Sequence, residues 1–264
     1  MTLVLSRTDV LDLLSLPECI DAVERAFRLH AEGHTLGPGV LSVHAAGGGF
    51  HIKAAGLIGE RSYFAAKTNA NFSDNPRRWG LPTIQGTIVL ADAVNGTPLA
   101  VMDSASVTAL RTGAATAVAA KFLARPDAST ATVVGCGVQG DVQLAAVAAV
   151  LPLRRILLVD IDHTRAEDLA ARAAARHGVR VEPAKDLRSA LRASDVCVTC
   201  TTSGGRFSAP EMSRPEPSLR RLARTTRRSR SSSLPCSLPR PWWSTSSINA
   251  PRSVSCTTPW RPAS

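Results

Sequence analysis

Three cationic side chains stand in segments that are otherwise apolar or small. Lys53 lies in FHIKAAG, Lys67 in YFAAKTN and Arg111 in TALRTGA. Lysine and arginine are rarely buried without a partner, because burial removes their charge from water. For each cation alone, a structural role is as good an explanation as ligand binding: the side chain could form an ion pair, or its aliphatic part could lie along apolar surface with the charge in water. Three of them, in a chain that also carries a dinucleotide motif, favour binding of an anionic substrate, since arginine can hold a carboxylate through two hydrogen bonds.

That dinucleotide motif is the glycine-rich segment from Gly135 to Gly140, GCGVQG. The pattern alone is weak, but the apolar segment TATVV precedes it, a helical pattern follows, and Asp160 lies twenty residues beyond Gly140 at the end of the next apolar run. In this context Gly135 permits a tight turn, Gly137 lets the backbone approach a pyrophosphate, and Gly140 lets the helix pack on the strand. Unpaired N–H groups at the helix N-terminus would bind the phosphates. The segment therefore predicts a dinucleotide-binding site.

Asp160 also bears on which dinucleotide binds. Its carboxylate would accept hydrogen bonds from the adenosine ribose hydroxyls and repel a 2′-phosphate, which favours NAD over NADP. Arg165 follows five residues later and is near enough in sequence to hold such a phosphate. NAD and NADP both stay open at this point, with NAD slightly favoured.

Histidines and cysteines give weaker signals. His44 and His51 are candidates for the site, although isolated histidines are more often structural. The chain has six cysteines without dense spacing, as expected of reduced thiols. Cys197 and Cys200 are three residues apart on an expected strand, so they point to opposite faces. We therefore predict no metal site.

The first part of the chain, residues 1–124, mixes helical and strand patterns. Apolar side chains at helical spacing over residues 8–32 predict an amphipathic helix behind a turn at Leu16-Pro17. Ser104 or Ser106 is a plausible cap for the Ala-rich helix SVTALRTGAATAVAAKFLAR. The predicted strands are HIKAAGLI, YFAAKTNANF, IQGTIVLAD and LAVMDS, with NFSDNPRRWGLPT as a loop.

From about residue 125 short apolar strands alternate with helical segments. The strands are STATVVG, RILLVDID, VRVEP and DVCVTCTTS. This alternation is typical of βαβ units on a parallel sheet. The predicted fold class is therefore α/β, with a Rossmann-type doubly wound parallel sheet at residues 125–212 and a mixed α+β domain at residues 1–124.

The net charge of +10 does not indicate a nucleic-acid partner, because it is concentrated at one end of the chain. Residues 213–264 hold ten Arg and one Glu. Residues 1–212 hold the remaining 21 basic and 20 acidic side chains and are nearly neutral. We expect a small-molecule partner and no nucleic acid.

No membrane segment is expected either. The longest apolar runs are interrupted by Pro152, Arg154 and Arg155. The N-terminus carries Arg7 and Asp9 where a signal peptide would need an apolar stretch. The default prediction is a cytoplasmic enzyme or binding protein.

Several segments, in order and spacing, resemble the ornithine cyclodeaminase and mu-crystallin family. They are KTNANF with its Asn-Pro loop, GLPTIQGTIVLADAVNG, MDSASVTALRTGAATAVAAKFLAR and VVGCGVQG. The resemblance runs from about residue 5 to about residue 215. It implies a homodimer whose N-terminal domain makes the interface and the substrate pocket, with a Rossmann domain that binds the nicotinamide cofactor.

The resemblance also implies roles for individual residues. Lys67 and Arg111 match the pair that binds the substrate carboxylate, and Arg111 is also expected close to the cofactor. The glycine loop, residues 135–140, is expected to bind the cofactor. Further expected cofactor contacts are Thr83, Val138, Gln139, Asp160 and Thr201.

Two departures from the family pattern affect the predicted activity. Members often have an arginine, as a further carboxylate ligand, in the strand that corresponds to VLSVHAAGG. In that strand this chain has only His44. Cyclodeaminases place a glutamate where this chain has Lys53. The missing acid favours a reductase over an ornithine cyclodeaminase.

The main functional hypothesis is therefore reduction of an imine of an α-keto acid, such as pyrroline-2-carboxylate or a ketimine, to an amino acid. Lys67 and Arg111 would fix the carboxylate, hydride would come from the nicotinamide, and Lys53 would relay a proton. One alternative is ornithine cyclodeaminase, which converts ornithine to proline and ammonia without net cofactor turnover. Others are a non-catalytic binding protein resembling mu-crystallin, and an inactive product.

The segment 213–264 does not continue the family pattern. It holds 13 Ser, eight Pro, ten Arg and no Lys. One G/C-rich back-translation of ARTTRRSRS, read from its third base, gives ADNPEKQE, and the same offset over the later PWWSTSSINAPRSVSCTTPW permits VVVDVVDQCAAIGELHHAL. Both hidden strings resemble the part of the family that is absent here. We therefore expect an incomplete Rossmann domain followed by a frameshifted or disordered tail.

Overall fold

The computed structural model describes residues 1–201 and the backbone of residues 220–224. Up to residue 123 its elements are β1 (Leu3–Leu5), α1 (Arg7–Leu13), α2 (Leu16–Ala31), β2 (Thr35–Ala45), β3 (Gly48–Leu57), β4 (Tyr63–Phe72), α3 (Asn75–Trp79), β5 (Ile84–Asp92), β6 (Pro98–Asp103) and α4 (Ser104–Leu123). The six strands form one sheet in the order β1-β6-β5-β4-β3-β2. Neighbours from β2 to β6 are antiparallel, and β1 lies parallel to β6.

Three helices in this half differ from the sequence predictions. The helix expected after a turn at Leu16-Pro17 instead begins at Leu16 itself, because Ser15 and Glu18 form a capping box and Pro17 fits the first turn, where no N–H is needed. Helix α4 is capped by Asp103, whose carboxylate accepts the Ser106 N–H at 2.9 Å; the expected Ser104 or Ser106 cap is wrong. The segment expected as a loop before β5 contains the short helix α3.

The second half forms a parallel sheet. Its elements are β7 (Thr130–Val134), α5 (Val138–Val150), β8 (Arg155–Val159), α6 (His163–His177), β9 (Arg180–Pro183), α7 (Leu187–Arg192), β10 (Val196–Thr199) and β11 (Arg220–Arg224). The strand order is β11-β10-β7-β8-β9, and every pair is parallel. The predicted α/β class, with a Rossmann-type sheet after a mixed α+β part, is confirmed.

The core of the parallel sheet consists of strand side chains covered by helices α5 and α6. Its fully buried members include Val133, Leu144, Ile156, Leu158, Leu169, Val196 and Val198. A rigid sheet of this kind fixes the turns at the carboxyl ends of β7 and β8, where ligands bind in doubly wound folds.

Strand β11 differs from what the sequence predicts for the tail. The backbone of Arg220–Arg224 pairs in parallel with β10 at the edge of the sheet. An edge strand has unpaired N–H and C=O groups, so an extended segment that reaches it can extend the sheet. The frameshift prediction and the rest of the tail lie outside the described residues.

Helix α4 connects the two halves. Its buried Ala114 and Ala117 pack with Cys19 and Ile20 of α2 and with Ala146 of α5. Small side chains permit this close packing of three helices. Consequently α4 spans from the antiparallel sheet to the first helix of the parallel sheet, and it carries Arg111.

Candidate active site

Two of the predicted cations stand side by side on the antiparallel sheet. Lys53 of β3 lies directly opposite Lys67 of β4 in the strand register, so both side chains leave the same face. The Lys67 Nζ donates a hydrogen bond of 3.0 Å to the Thr108 hydroxyl on α4. This face of the sheet is therefore the one that α4 covers.

Arg111 follows Thr108 by three residues, so both lie on the same side of α4. Burial, and then the charges of Arg111 and Lys53, lowers the pKa of Lys67 to about 8. Burial and the charge of Arg111 lower the pKa of Lys53, and burial lowers the pKa of Arg111. The structure brings together Lys53, Lys67 and Arg111, called the cation cluster below.

No acidic side chain balances the cation cluster within residues 1–201. None of its three members forms an ion pair there, whereas Lys121, near the C-terminal end of α4, pairs with the buried Glu24 at 2.8 Å. Coulomb repulsion between unpaired, partly buried cations is relieved by binding an anion. The cluster is therefore suited to a carboxylate ligand.

Sequence reasoning missed three polar residues beside the cluster. They are Thr108, described above, and Asn69 and Ser104, which are joined by a 2.7 Å hydrogen bond from the Ser104 hydroxyl to Asn69 Oδ1. Asn69 stands two residues after Lys67, on the same face of β4. All three lie in the segments KTNANF and MDSASVTALRT. Those two segments could be recognised in the sequence, but the hydrogen bonds between their side chains depend on the fold.

The two candidate histidines lie on β2 and β3. His51 lies on the same face of β3 as Lys53, and its Nδ1 is 3.0 Å from the Ser42 hydroxyl on β2. His44 is exposed on β2. His51 thus has a polar partner on the neighbouring strand, in keeping with a structural histidine.

The glycine loop, residues 135–140, joins β7 to α5. Gly135 has a φ of 97°, and a Cβ there would come within 2.9 Å of the Cys200 carbonyl carbon. A Cβ on Gly140 would lie 2.1 Å from the Gly135 carbonyl oxygen. Gly137 is exposed at the start of α5, and a Cβ there would have no atom within 4 Å apart from those of the adjoining residues. The first and last glycines shape the loop, and the middle one leaves the helix N-terminus open to an anion.

Asp160 is held against the glycine loop at the end of β8. Its Oδ2 accepts the Cys136 N–H at 2.7 Å, and its Oδ1 accepts the Asp162 N–H at 3.0 Å. Burial, and then the Asp160 charge, raises the pKa of the Cys136 thiol to about 12, so this cysteine stays protonated. Arg165 is exposed, and its Nε lies 3.4 Å from Asp162 Oδ2.

Buried polar atoms near the loop are consistent with a ligand. Gln139 Oε1 and Thr201 Oγ1 are buried and have no hydrogen-bond partner within the described residues. Thr201 lies beside Gly135, and Val138 is 71% exposed at the loop surface. Unsatisfied buried oxygens are costly unless something donates to them. The donors and acceptors present at the loop fit a dinucleotide.

Thr83 is the remaining predicted cofactor contact. It directly precedes β5, and its carbonyl accepts the Phe72 N–H at 2.9 Å. No hydrogen bond joins its hydroxyl to the glycine loop in the part of the chain that the structure describes. Its cofactor role stays a prediction.

A groove of about 560 Å³ runs from α4 to the glycine loop. Leu110, the neighbour of Arg111, lines it together with Gly137 and Val138. The helix that carries Arg111 therefore reaches the loop expected to bind the cofactor. The rest of the groove follows α5 and α6, and none of Lys53, Lys67 and Arg111 lines it.

Other site classes find little support in the described residues. Among them no group of three or more His, Cys, Asp or Glu side chains is arranged to hold a metal. Cys197 packs with Val134 and Leu191, whereas Cys200, which follows β10, packs against the separate core cluster that contains Val133. No helix among them combines the length and apolar character needed to cross a membrane.

Comparisons with known proteins show the family to which the chain belongs. Residues 1–213 match the ornithine cyclodeaminase/mu-crystallin family. The alanine dehydrogenase of Archaeoglobus fulgidus is 36% identical over 211 residues, which cover 76% of this chain and 61% of that protein.

Two solved structures are similar over the same portion. The Delta(1)-pyrroline-2-carboxylate reductase of Thermococcus litoralis, in complex with NADH and L-proline, is 33% identical with a TM-score of 0.71, covering 76% of this chain and 62% of its own. An archaeal alanine dehydrogenase dimer with bound NAD is 34% identical with a TM-score of 0.71, covering 76% and 61%. This chain therefore spans less than two thirds of the length of these relatives.

Proposed function

Because the chain belongs to the ornithine cyclodeaminase/mu-crystallin family, we propose that it reduces an imine of an α-keto acid to an amino acid with a nicotinamide cofactor. The observation that carries the proposal is the cation cluster, which lies on the sheet face covered by α4. No acidic side chain among residues 1–201 forms an ion pair with it. Helix α4, which carries Arg111, also contributes Leu110 to the groove beside the glycine loop. An anion site next to a dinucleotide loop suits transfer of hydride to a carbon beside a carboxylate.

The chain's own residues orient the substrate. Arg111 supplies two parallel N–H donors to the carboxylate, and Lys67, held by Thr108, adds a charge from the sheet. The glycine loop, with Gln139, Asp160 and Thr201, would hold the cofactor, which when bound supplies the hydride. Lys53, the register partner of Lys67, adds a third positive charge on the same face of the sheet.

For the cofactor we propose NAD in preference to NADP. Asp160 stands at the end of β8 with both oxygens directed at backbone N–H groups around the loop, where its charge would repel a 2′-phosphate. Arg165, the residue that could hold such a phosphate, lies near Asp162, which partly offsets its charge. Separate titrations of the protein with NADH and NADPH test this, and tighter binding of NADPH would overturn it.

We also propose a homodimer formed through the other face of the antiparallel sheet. Leu41, Val43, Phe50 and Val89 lie on the face opposite the cation cluster and are 39–56% exposed. Contiguous exposed apolar side chains mark interaction surfaces. A similar alanine dehydrogenase is a dimer with bound NAD. Light scattering on the purified chain and on Phe50→Glu tests this proposal, and a monomer in both would refute it.

The activity is tested by supplying the purified chain and NADH with pyrroline-2-carboxylate, and separately with ornithine. The proposal predicts stoichiometric oxidation of NADH with the imine. Formation of proline and ammonia from ornithine without net change in NADH would show a cyclodeaminase instead. Tight binding of NADH with neither reaction would show a non-catalytic binding protein.

A further inference from the structure

The cation cluster holds more positive charge than one carboxylate can neutralise. Lys53 and Lys67 are register partners on adjacent strands, and Arg111 is close enough to both to lower the pKa of each. Within residues 1–201 no carboxylate forms an ion pair with any of the three, and the Lys67 amine has a neutral hydroxyl as its partner. A substrate with a single carboxylate leaves excess positive charge in a partly buried site.

The reaction itself adds to this excess. An imine is reduced as its protonated form, so a further cation enters beside three others. Like charges at short distance in a partly desolvated site repel each other strongly. An ammonium group on the substrate side chain, as in a diamino acid, would increase the repulsion again. A second carboxylate on the substrate would reduce it.

We propose that the site takes imines of dicarboxylic α-keto acids, with the carboxylate next to the imine on Lys67 and Arg111 and the second carboxylate on Lys53. This inference rests on the proposed reductase function and names its substrate class. In this role Lys53 stays charged and binds the substrate, in place of relaying a proton. The same arrangement excludes ornithine and other diamino acids, because their side-chain ammonium would meet Lys53.

The chemical step is balanced with a reduced nicotinamide as the reductant. Hydride forms a new C–H bond at the iminium carbon, and the π electrons of the C=N bond move to nitrogen. The resulting amine takes a proton from water to give the amino dicarboxylate. NADH is oxidised to NAD⁺ in the same step.

The first test compares substrates. The purified full chain and NADH are given ammonium with oxaloacetate or 2-oxoglutarate, which form dicarboxylic imines, or ammonium with pyruvate, and separately pyrroline-2-carboxylate. The inference predicts a kcat/KM at least about tenfold higher for a dicarboxylic imine than for the monocarboxylic ones. Equal or higher values for the monocarboxylic imines would overturn it and leave the reductase function standing. Reduction of none of them would refute the proposed function.

The second test uses the ratio of the two kcat/KM values in variants. Lys53→Met is expected to lower the ratio of dicarboxylic to monocarboxylic kcat/KM about tenfold or more. Lys53→Arg, the matched control, keeps the charge and should keep most of the ratio. A ratio unchanged in Lys53→Met would overturn the assignment of Lys53.

A binding measurement does not depend on turnover. With NAD⁺ present, succinate should raise the midpoint of thermal unfolding of the unaltered chain more than butyrate at the same concentration does. This difference should vanish in Lys53→Met and persist in Lys53→Arg. Equal effects of succinate and butyrate on the unaltered chain would contradict the inference.

Discussion

The cation cluster and the glycine loop both prepare the protein for anionic ligands, but by different means. The cluster uses charged side chains that converge from two strands and a helix and find no counter-charge among the described residues. The loop uses backbone N–H groups, and its shape depends on the absence of side chains at Gly135 and Gly140. Removing a charge should therefore affect the cation cluster most, and adding a methyl group should affect the glycine loop most. Substitutions that change one or the other separate the two kinds of site.

The largest effect is expected from Gly140→Ala. The added methyl carbon would lie 2.1 Å from the Gly135 carbonyl oxygen, so the loop or helix α5 has to move. We expect the free energy of unfolding to fall by about 2–3 kcal/mol, as for other overpacked sites, and NADH binding to be lost. Chemical denaturation and NADH fluorescence titration measure the two quantities.

Gly137→Ala is the matched control in the same loop. Apart from the adjoining residues, nothing described lies within 4 Å of the added carbon, so the stability should change little. NADH affinity should still fall, because the methyl group obstructs the approach of the pyrophosphate. If both variants lost stability equally, the account of how this loop is shaped would be wrong.

Arg111→Met is expected to have the second largest effect, on catalysis and not on stability. We expect kcat/KM to fall about 100-fold, as when one partner of a buried charge pair is removed. The midpoint of thermal unfolding should stay or rise, since the guanidinium forms no ion pair within residues 1–201 and burial disfavours its charge. Steady-state kinetics and calorimetry provide the measurements.

Arg111→Lys sharpens this contrast. It keeps the charge but loses the two parallel donors, so an intermediate kcat/KM is expected. Conversely, a large loss of stability in Arg111→Met with an unchanged KM would show that Arg111 is structural.

The pH dependence of substrate binding should be smaller but specific to the cluster. Lys67 has a pKa of about 8, so the amine is charged below that pH and neutral above it. Because a carboxylate binds the charged form, KM should rise as the pH increases through about 8, approaching about tenfold per unit. In Lys67→Arg, which stays charged, the rise should disappear. The same rise in both proteins would assign it to another group.

Thr108→Val is expected to have the smallest effect of the series. It removes a 3.0 Å hydrogen bond to Lys67 and leaves a side chain of similar size. A lost hydrogen bond of this kind is worth about 0.5–1.5 kcal/mol, so KM should rise roughly two- to tenfold. Thr108→Ser keeps the hydroxyl and should restore KM. A KM that is unaffected in the valine variant would remove Thr108 from the account.

Local patterns in the sequence were sufficient for the parallel sheet and its loop. Gly135, Gly140 and Asp160 are positioned by a strand, a turn and a helix that are adjacent in the chain, so the motif already specifies their contacts. The same holds for the strands that carry Lys53 and Lys67, whose apolar surroundings are visible locally.

Contacts between distant segments could not be predicted in this way. The register that sets Lys53 opposite Lys67, and the bonds from Lys67 to Thr108 and from Ser104 to Asn69, depend on how sheet and helix pack. Asp103 was missed as a cap because it ends a strand and begins a helix at the same position. Such contacts follow from tertiary packing, to which local sequence is a weak guide.

The central claim is that an anion held by the cation cluster receives hydride from a nicotinamide held by the glycine loop. The most direct measurement is transfer of deuterium from NADH labelled at the nicotinamide C4, with pyrroline-2-carboxylate and with ammonium plus oxaloacetate as the acceptors. The account predicts label at the α-carbon of a single enantiomer of the amino acid, and loss of this transfer in Arg111→Met. Bound labelled NADH with no deuterium in any amino acid product would contradict it.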